Sequence, residues 1–126
     1  FTAAKLKWLF HHAPAIAEGL KSGRLLFGTV DTWLVWKLTA GQTYATDASN
    51  ASRTMLFDID RMAGDDGLFR LFSLEIAPLP ECRRSDAAFG QIAAAFFGGP
   101  IPLVGVLGDQ QASLLGHGCL SPKDML

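Results

Sequence analysis

The spacing of apolar residues predicts two consecutive helices at the start of the chain. From Leu6 to Ala13, apolar residues recur at positions i, i+3, i+4 and i+7, which is typical of one buried stripe on a helix over residues 4–13. Pro14 cannot continue that helix, but proline is well tolerated in a first helical turn. A second helix is therefore predicted from Pro14 to Lys21, ended by the Ser-Gly pair that follows it.

A third helix is predicted over residues 30–38, after a short apolar run at residues 25–27 that is typical of a strand. The apolar spacing on this helix predicts that one stripe faces the core and that Trp36 lies off it, packed elsewhere or partly exposed. The stripe consists of Val30, Trp33, Leu34, Lys37 and Leu38. The tryptophans, Trp8 and Trp33 included, are expected to anchor the core rather than to form a ligand cage.

The middle of the chain is polar and then apolar again. Residues 42–54 are rich in Ser, Thr, Asn and Asp, which favour turns over regular structure, so a loop with one helical turn is predicted. Residues 55–59 are a strand candidate. Asp65 and Asp66 can open the next helix, and the prolines at residues 78–80 predict an irregular link beyond it.

The last third of the chain predicts a strand, a tight turn and a helix in succession. Residues 88–92 are a short strand candidate, and the Gly-Gly-Pro sequence at residues 98–100 marks a turn. Residues 101–107 form an apolar run that Gly-Asp closes at residues 108–109, and residues 110–115 then have helical character. Because helical and strand signals alternate without an internal repeat, the pattern predicts one α/β unit.

Composition narrows the partners that this chain can bind. The formal net charge is -1 and charged residues make up 18% of the sequence, so there is no basic surface for nucleic acid or anionic lipid. No run approaches the roughly 20 apolar residues that a bilayer crossing needs. Nucleic acid and membranes are therefore not expected as partners. The 126 residues, 49% of them hydrophobic, suffice for the core of one domain.

The cysteines and histidines do not form a metal-binding pattern. Cys82 and Cys119 lie in no CxxC pair and have no histidine at zinc-ligand spacing, so reduced thiols and a cytoplasmic location are expected. His11 and His12 are interpreted as surface histidines, and no metal site is predicted. The chain starts at Phe1 with neither an initiator Met nor a secretion signal, which is expected of a cut end.

The turn before the last helix carries the candidate chemistry. In open α/β sheets, ligands bind at the carboxyl ends of strands, where backbone N–H groups of the next helix are unpaired. Asp109 is predicted at such a point and can accept the proton of a bound hydroxyl, while Gln110 and Gln111 offer amide groups suited to a polyol. The alternative is that Asp109 only caps a helix that begins at Gln110. These residues alone do not name a reaction, because no phosphate-loop sequence accompanies them.

Several other polar residues have structural interpretations. Arg53 follows the polar loop and is either a tether between that loop and the sheet or a phosphate ligand. Asp47 and Asn50 are interpreted as groups that stabilise turns rather than as metal ligands. Asp31 and Asp58 are expected to be helix-end and surface carboxylates.

Three blocks of the sequence resemble successive blocks of the FGGY carbohydrate kinases. Residues 28–39 read GTVDTWLVWKLT, residues 46–59 read TDASNASRTMLFDI and residues 108–112 read GDQQA, in the order and at the intervals of that family. Residues 5–9, KLKWL, also resemble the core of the family's first signature. The GDQQA block is most similar to the glycerol kinase branch of the family.

The resemblance implies a partial α/β domain of the ribonuclease H and actin type, with a mixed sheet flanked by helices. It aligns residues 1–118 with the later part of the family's first, substrate-binding domain. Residues 119–126 correspond to the start of the connection to a second, ATP-binding domain. By the same match, Asp109 is the catalytic base and contacts the substrate, and Gln110 binds a hydroxyl of glycerol. The resemblance implies no catalytic role for Arg53 and so favours the tether.

The parent enzyme implied by this resemblance transfers the γ-phosphoryl group of ATP, with magnesium, to a terminal hydroxyl of glycerol. It is expected to be a homo-oligomer. No residue of this chain is assigned to the ATP or magnesium site, so the fragment alone is expected to be inactive. Two alternatives stay open, namely a sister kinase acting on a pentulose or another sugar, and a non-catalytic actin-like module that binds nucleotide or a partner protein.

Overall fold

The computed structural model describes residues 1–76, 78–121 and 123 of the chain. Helices and short strands alternate along these residues. The helices are α1 (Thr2–His12), α2 (Pro14–Lys21), α3 (Val30–Leu38), α4 (Ala48–Ala51), α5 (Asp66–Phe72), α6 (Ala94–Phe97) and α7 (Asp109–Gly116). The strands are β1 (Ala45–Asp47), β2 (Phe57–Asp58), β3 (Ala63–Gly64), β4 (Glu81–Arg83), β5 (Gly90–Ile92) and β6 (Ile101–Leu103). None of the helices in this described part has the length and apolar composition that a membrane crossing requires.

The helices in the first half begin and end close to their predicted positions. Helices α2 and α3 have the predicted bounds, and α1 begins two residues before the predicted range of 4–13. Helix α5 opens where the two aspartates predicted it, because the Asp65 carboxylate accepts a hydrogen bond of 2.9 Å from the Leu68 N–H. The single helical turn expected within residues 42–54 is α4.

The strands form three separate pairs among the described residues. Strands β1 and β4 pair in parallel, with Ala45 opposite Glu81 and Asp47 opposite Arg83. Strand β2 pairs with β3, and β5 with β6, both antiparallel. Parallel and antiparallel pairing therefore occur together, as a mixed α/β domain requires, and the parallel pair brings the carboxyl ends of β1 and β4 to the same edge.

The strand predicted at residues 25–27 is absent, which corrects that expectation. The segment has no regular secondary structure, and no strand in the described part of the chain pairs with it. A side chain takes the place of a strand partner, since the Tyr44 hydroxyl donates hydrogen bonds to the carbonyls of Phe27, at 2.5 Å, and Pro78, at 3.3 Å. An apolar run shows that a segment can pair, but pairing also needs a partner strand.

Two hydrophobic clusters hold the elements together. The first lies between α1, α2 and α5 and consists of Ala3, Leu6, Leu20, Leu56 and Leu74. The second joins α3 to β1 and to the β5–β6 hairpin through Val35, Ala45 and Phe89, and the Phe89 side chain is completely buried. Because Phe89 precedes β5, this second cluster fixes the hairpin against α3.

Helix α3 buries the opposite face from the one predicted. Val30 is 76% exposed and Trp33 is 59% exposed, whereas Asp31, Thr32 and Val35 are buried. The cause is the contact with β1, where the Thr46 hydroxyl donates a 2.6 Å hydrogen bond to Asp31 Oδ2 and Val35 packs in the second cluster. Asp31 is therefore a helix-end carboxylate, as expected, but it is buried and not at the surface, and its other oxygen, Oδ1, has no hydrogen-bond partner among the described residues.

The tryptophans do not anchor the core, which corrects a second expectation. Trp8 is 58% exposed and stacks on His12, and Trp33 lies on the exposed face of α3. Trp36 is partly exposed, as its position off the predicted stripe suggested, and packs edge-on against Tyr44. Large apolar side chains on α1 and α3 therefore face solvent.

Candidate functional site

Helix α7 begins at Asp109 itself. Gly108 is its N-cap residue, and the Ala112 N–H makes the first helical hydrogen bond, of 2.8 Å, to the Gly108 carbonyl. The interpretation in which Asp109 caps a helix beginning at Gln110 is therefore wrong. Residues 104–108 separate the end of β6 from α7, so the predicted tight turn directly after a strand is instead a five-residue segment without regular secondary structure.

Asp109 and Gln110 lie side by side on the exposed surface of α7. Both line an open concavity that also includes Ser113 and Leu114, one helical turn further along. The concavity thus presents a carboxylate, a carboxamide and a hydroxyl, which are groups that hydrogen-bond a polyol. Sequence reasoning did not select Ser113, although its position four residues after Asp109 places it on the same helical face.

The carboxyl ends of the parallel pair β1 and β4 carry a buried polar cluster centred on Asp47. Its side chain is completely buried and caps α4. The Asp47 carboxylate accepts hydrogen bonds from the Ser49 N–H (3.0 Å) and hydroxyl (2.6 Å) and from the Asn50 N–H (3.0 Å) and side-chain amide (2.7 Å). The Ser85 hydroxyl donates a further bond of 2.6 Å from the chain beyond β4. This confirms that Asp47 and Asn50 stabilise a turn.

The balance of burial and hydrogen bonding sets the charge state of Asp47. Burial alone would raise the pKa of this carboxyl, since a charge is disfavoured away from water. The hydrogen bonds from Ser49, Ser85 and Asn50 outweigh burial, and the net pKa of Asp47 lies below its usual value. The cluster therefore holds a carboxylate anion at neutral pH.

The Asp47 cluster is connected to the approach to α7. The Gly108 N–H donates a 2.7 Å hydrogen bond to the Ser49 hydroxyl oxygen, and the Val106 N–H donates one of 3.0 Å to the Ser85 carbonyl. These two bonds fasten residues 104–108 to the carboxyl ends of β1 and β4. Asp109 follows directly, so it lies at the edge of a parallel strand pair where α/β proteins bind ligands.

Gly108 is buried at this junction and leaves little room for a side chain. A Cβ atom at this position would lie 2.7 Å from Gln111 Oε1 and 3.3 Å from Ser49 Oγ. Real Cβ atoms essentially never show the first of these distances, so the Gln111 side chain would have to move. The glycine therefore lets the backbone approach the Ser49 hydroxyl closely.

The remaining candidate residues lie apart from this junction. The exposed Arg53 places its guanidinium carbon 5.9 Å from the centroid of the Phe1 ring, so the predicted tether to the sheet is wrong. Asp58 accepts hydrogen bonds from the backbone of the turn that follows it, and His11 and His12 are both exposed. Within residues 1–76, 78–121 and 123, no group of three or more His, Cys, Asp or Glu side chains could hold a metal ion.

The two cysteines are unpaired and partly buried. Desolvation is the main cause that raises the pKa of the Cys82 thiol, and the negative charges of Asp47 and Asp31 add to it. The thiolate is the reactive form of cysteine, so the surroundings of Cys82 reduce its reactivity.

The sequence of this chain is similar to those of known proteins of one family. Residues 1–116 match the FGGY family of carbohydrate kinases, N-terminal domain. The chain is 48% identical over 119 residues to a glycerol kinase of Agathobacter rectalis, and 49% identical over 120 residues to one of Thermus brockianus. The matches cover 94% and 95% of this chain but 24% of each relative, so the chain spans about a quarter of their length.

A solved structure agrees with these matches. The crystal structure of Plasmodium falciparum glycerol kinase with ADP superposes with a TM-score of 0.87 at 33% sequence identity, over 94% of this chain and 24% of that one. This likeness confirms the expected partial α/β domain of the ribonuclease H and actin type. The chain belongs to the FGGY family of carbohydrate kinases, with residues 1–116 in that family's N-terminal domain.

Proposed function

We propose that this chain is the part of a glycerol kinase that binds the polyol and supplies the base for phosphoryl transfer to its terminal hydroxyl. The observation that carries the proposal is the exposed Asp109 carboxylate, which shares one concavity with the Gln110 amide at the edge of a parallel strand pair. Relatives named glycerol kinase, almost half identical to this chain, supply the choice of glycerol as the substrate.

In the proposed reaction, Asp109 accepts the proton of the terminal hydroxyl as that oxygen attacks the γ-phosphorus of ATP. A new O–P bond forms, the bond to the bridging oxygen of ADP breaks, and the proton remains on the carboxylate. Gln110 hydrogen-bonds a hydroxyl of the substrate and so aligns the attacking oxygen. The products are glycerol 3-phosphate and ADP.

The nucleotide and magnesium belong to other residues of the parent enzyme. No group of three or more His, Cys, Asp or Glu side chains in the described part of this chain could hold a metal ion, and we assign no magnesium ligand to it. We place the ATP-binding residues in a second domain, with residues 1–118 in the first domain and residues 119–126 at the start of the connection. Residues 122 and 124–126 of that connection lie outside the described part of the chain. We further propose a cytoplasmic, homo-oligomeric parent enzyme.

The first prediction tests the base. In the full-length protein, we expect ATP consumption to depend on glycerol, and Asp109→Asn to reduce kcat about 10²-fold to 10⁴-fold, because the amide cannot accept the proton. Glycerol binding, measured by calorimetry, should be largely retained. Asp66→Asn is the matched control, because Asp66 is also an acidic residue in the first turn of a helix and should leave kcat unchanged.

The same assay separates the alternatives. If the full-length protein consumes ATP with a pentulose and not with glycerol, the proposal of glycerol as the substrate is wrong, and the proposal of Asp109 as the base is retained. If no polyol or sugar stimulates ATP consumption, or if Asp109→Asn keeps full activity, the kinase proposal is overturned in favour of a binding module.

A further inference from the structure

We propose that Ser49 is a positioning residue, whose hydroxyl holds the backbone N–H of Gly108 and thereby sets the place of the Asp109 carboxylate. The catalytic consequence rests on the function proposed above, whereas the hydrogen bond itself does not. Ser49 and Gly108 are 59 residues apart in the chain, so this contact is a tertiary tether and not part of a local turn.

The hydrogen bonds of Ser49 have a defined direction. Its hydroxyl carries one proton, and that proton is donated to the Asp47 carboxylate over 2.6 Å. A lone pair of the same oxygen then accepts the Gly108 N–H over 2.7 Å. Because the Asp47 anion fixes the hydroxyl proton, the oxygen is left oriented as an acceptor, and bonds to a charged group are stronger than neutral ones.

Helix α7 depends on this tether because it has few other fixed points. None of the residues from Asp109 to Gly116 is buried, so side-chain packing in the described structure contributes little to its placement. The approach to it is fastened at Val106, whose N–H binds the Ser85 carbonyl, and at Gly108. The Gly108 bond is the one adjacent to Asp109, and small displacements of a reacting group are costly to the rate.

The test compares Ser49→Ala with Ser52→Ala in the full-length protein. Ser52 lies at the end of the same short helix, and among the described residues its hydroxyl makes a local hydrogen bond, to the Ser49 carbonyl at 2.8 Å. We expect Ser49→Ala to lower kcat about 10-fold to 100-fold. The KM for ATP should stay within about twofold, because the tether touches no nucleotide-binding residue of this chain. Ser52→Ala should leave both constants unchanged, and Ser49→Thr, which keeps the hydroxyl, should restore most of kcat.

A second readout does not depend on activity. Amide hydrogen exchange at Gly108, followed by NMR or mass spectrometry, should become at least about 10-fold faster in Ser49→Ala and remain unchanged in Ser52→Ala. Unchanged exchange in Ser49→Ala would overturn the tether. Faster exchange with an unchanged kcat would overturn the positioning role.

Failure of the proposed function would look different. The wild-type protein would then show no glycerol-dependent ATP consumption, and the assignment of Asp109 as a base would fall together with the effect of Ser49 on kcat. The exchange at Gly108 would still decide whether Ser49 holds the start of α7. If thermal unfolding shows that Ser49→Ala does not fold, Ser49→Thr decides instead. Faster exchange at Gly108 together with a lower kcat in Ser49→Thr, which keeps the hydroxyl, would overturn the proposal.

Discussion

Tyr44 shows how one side chain replaces a missing strand. Its hydroxyl reaches across from the start of β1 to the carbonyls of Phe27 and Pro78, and it is the only tyrosine of the 126-residue sequence. Burial raises the pKa of Tyr44 to about 12. The phenol therefore stays protonated in the folded protein at pH values where an exposed tyrosine ionises.

Tyr44→Phe tests this role through the pH dependence of stability. Because the folded-state pKa is raised, Tyr44 contributes stability that is fully present below about pH 10 and is lost as the pH rises towards 12. We expect Tyr44→Phe to lower the free energy of unfolding by about 1 kcal/mol at pH 8 and to remove part of the decline above pH 10. Denaturant unfolding of the wild type and of Tyr44→Phe between pH 8 and 11 measures the two free energies of unfolding. Parallel curves over the whole range would contradict the prediction.

At the scale of elements, local signals predicted every described helix except α6, but of the strands they predicted β2, β5 and β6 and not β1, β3 and β4. Pro14 and the 3.6-residue period set the bounds of α2 and α3, because helices are stabilised by residues close in sequence. Strand β1 lies in a segment interpreted as a loop, and β4 directly follows the predicted irregular link at residues 78–80; each gains its partner from residues far along the chain. No local pattern encodes that pairing.

The candidate site likewise combines features that local sequence signals predict with contacts between distant residues that they do not. An apolar run, a Gly-Asp pair and a helical pattern made Asp109 a candidate, but the choice of a base over a helix cap, and the role of Gln110, came from the resemblance to the FGGY family. The predicted strand was too long, since β6 ends at Leu103 and Val104 is exposed. The bond from Gly108 to Ser49 could not be predicted, because it depends on how two distant segments meet.

Helix α5 offers a prediction at this scale. The Asp65 carboxylate accepts the Leu68 N–H, so Asp65→Ala should lower the free energy of unfolding by about 1 kcal/mol. Asp66→Ala is the control, because Asp66 lies in the same turn and is not the cap residue. Urea unfolding of the full-length variants gives both values. Equal losses in the two variants would show that charge near the helix end matters more than the capping bond.

At the scale of the whole molecule, the exposed apolar side chains need explanation. Val30, Trp33 and Leu34 together form an apolar face on α3 that solvent reaches in this chain. Contiguous apolar patches are uncommon on isolated soluble proteins. The chain spans about a quarter of the length of its relatives, since the matches cover 24% of each. In those relatives, most of the residues that could pack around this domain therefore lie outside the matched part.

This face predicts self-association when the 126 residues are produced alone. We expect the sedimentation coefficient to rise with concentration, and the double substitution Val30→Ser and Trp33→Ser to suppress that rise, because it removes the two most exposed side chains of the face. Leu71→Ser is the matched control, since Leu71 is an exposed leucine on α5, away from α3. A monomer at all concentrations would contradict the prediction.

The parallel pairing of β1 with β4 has a consequence for evolutionary variation in length. Residues 48–80 connect the two strands, and within them residues 59–62 form an exposed turn between β2 and β3. Doubling the length of a flexible loop costs only about 0.6 kcal/mol in closure entropy. Homologues can therefore gain or lose residues at this turn while Asp47, Ser49 and Gly108 keep their mutual arrangement.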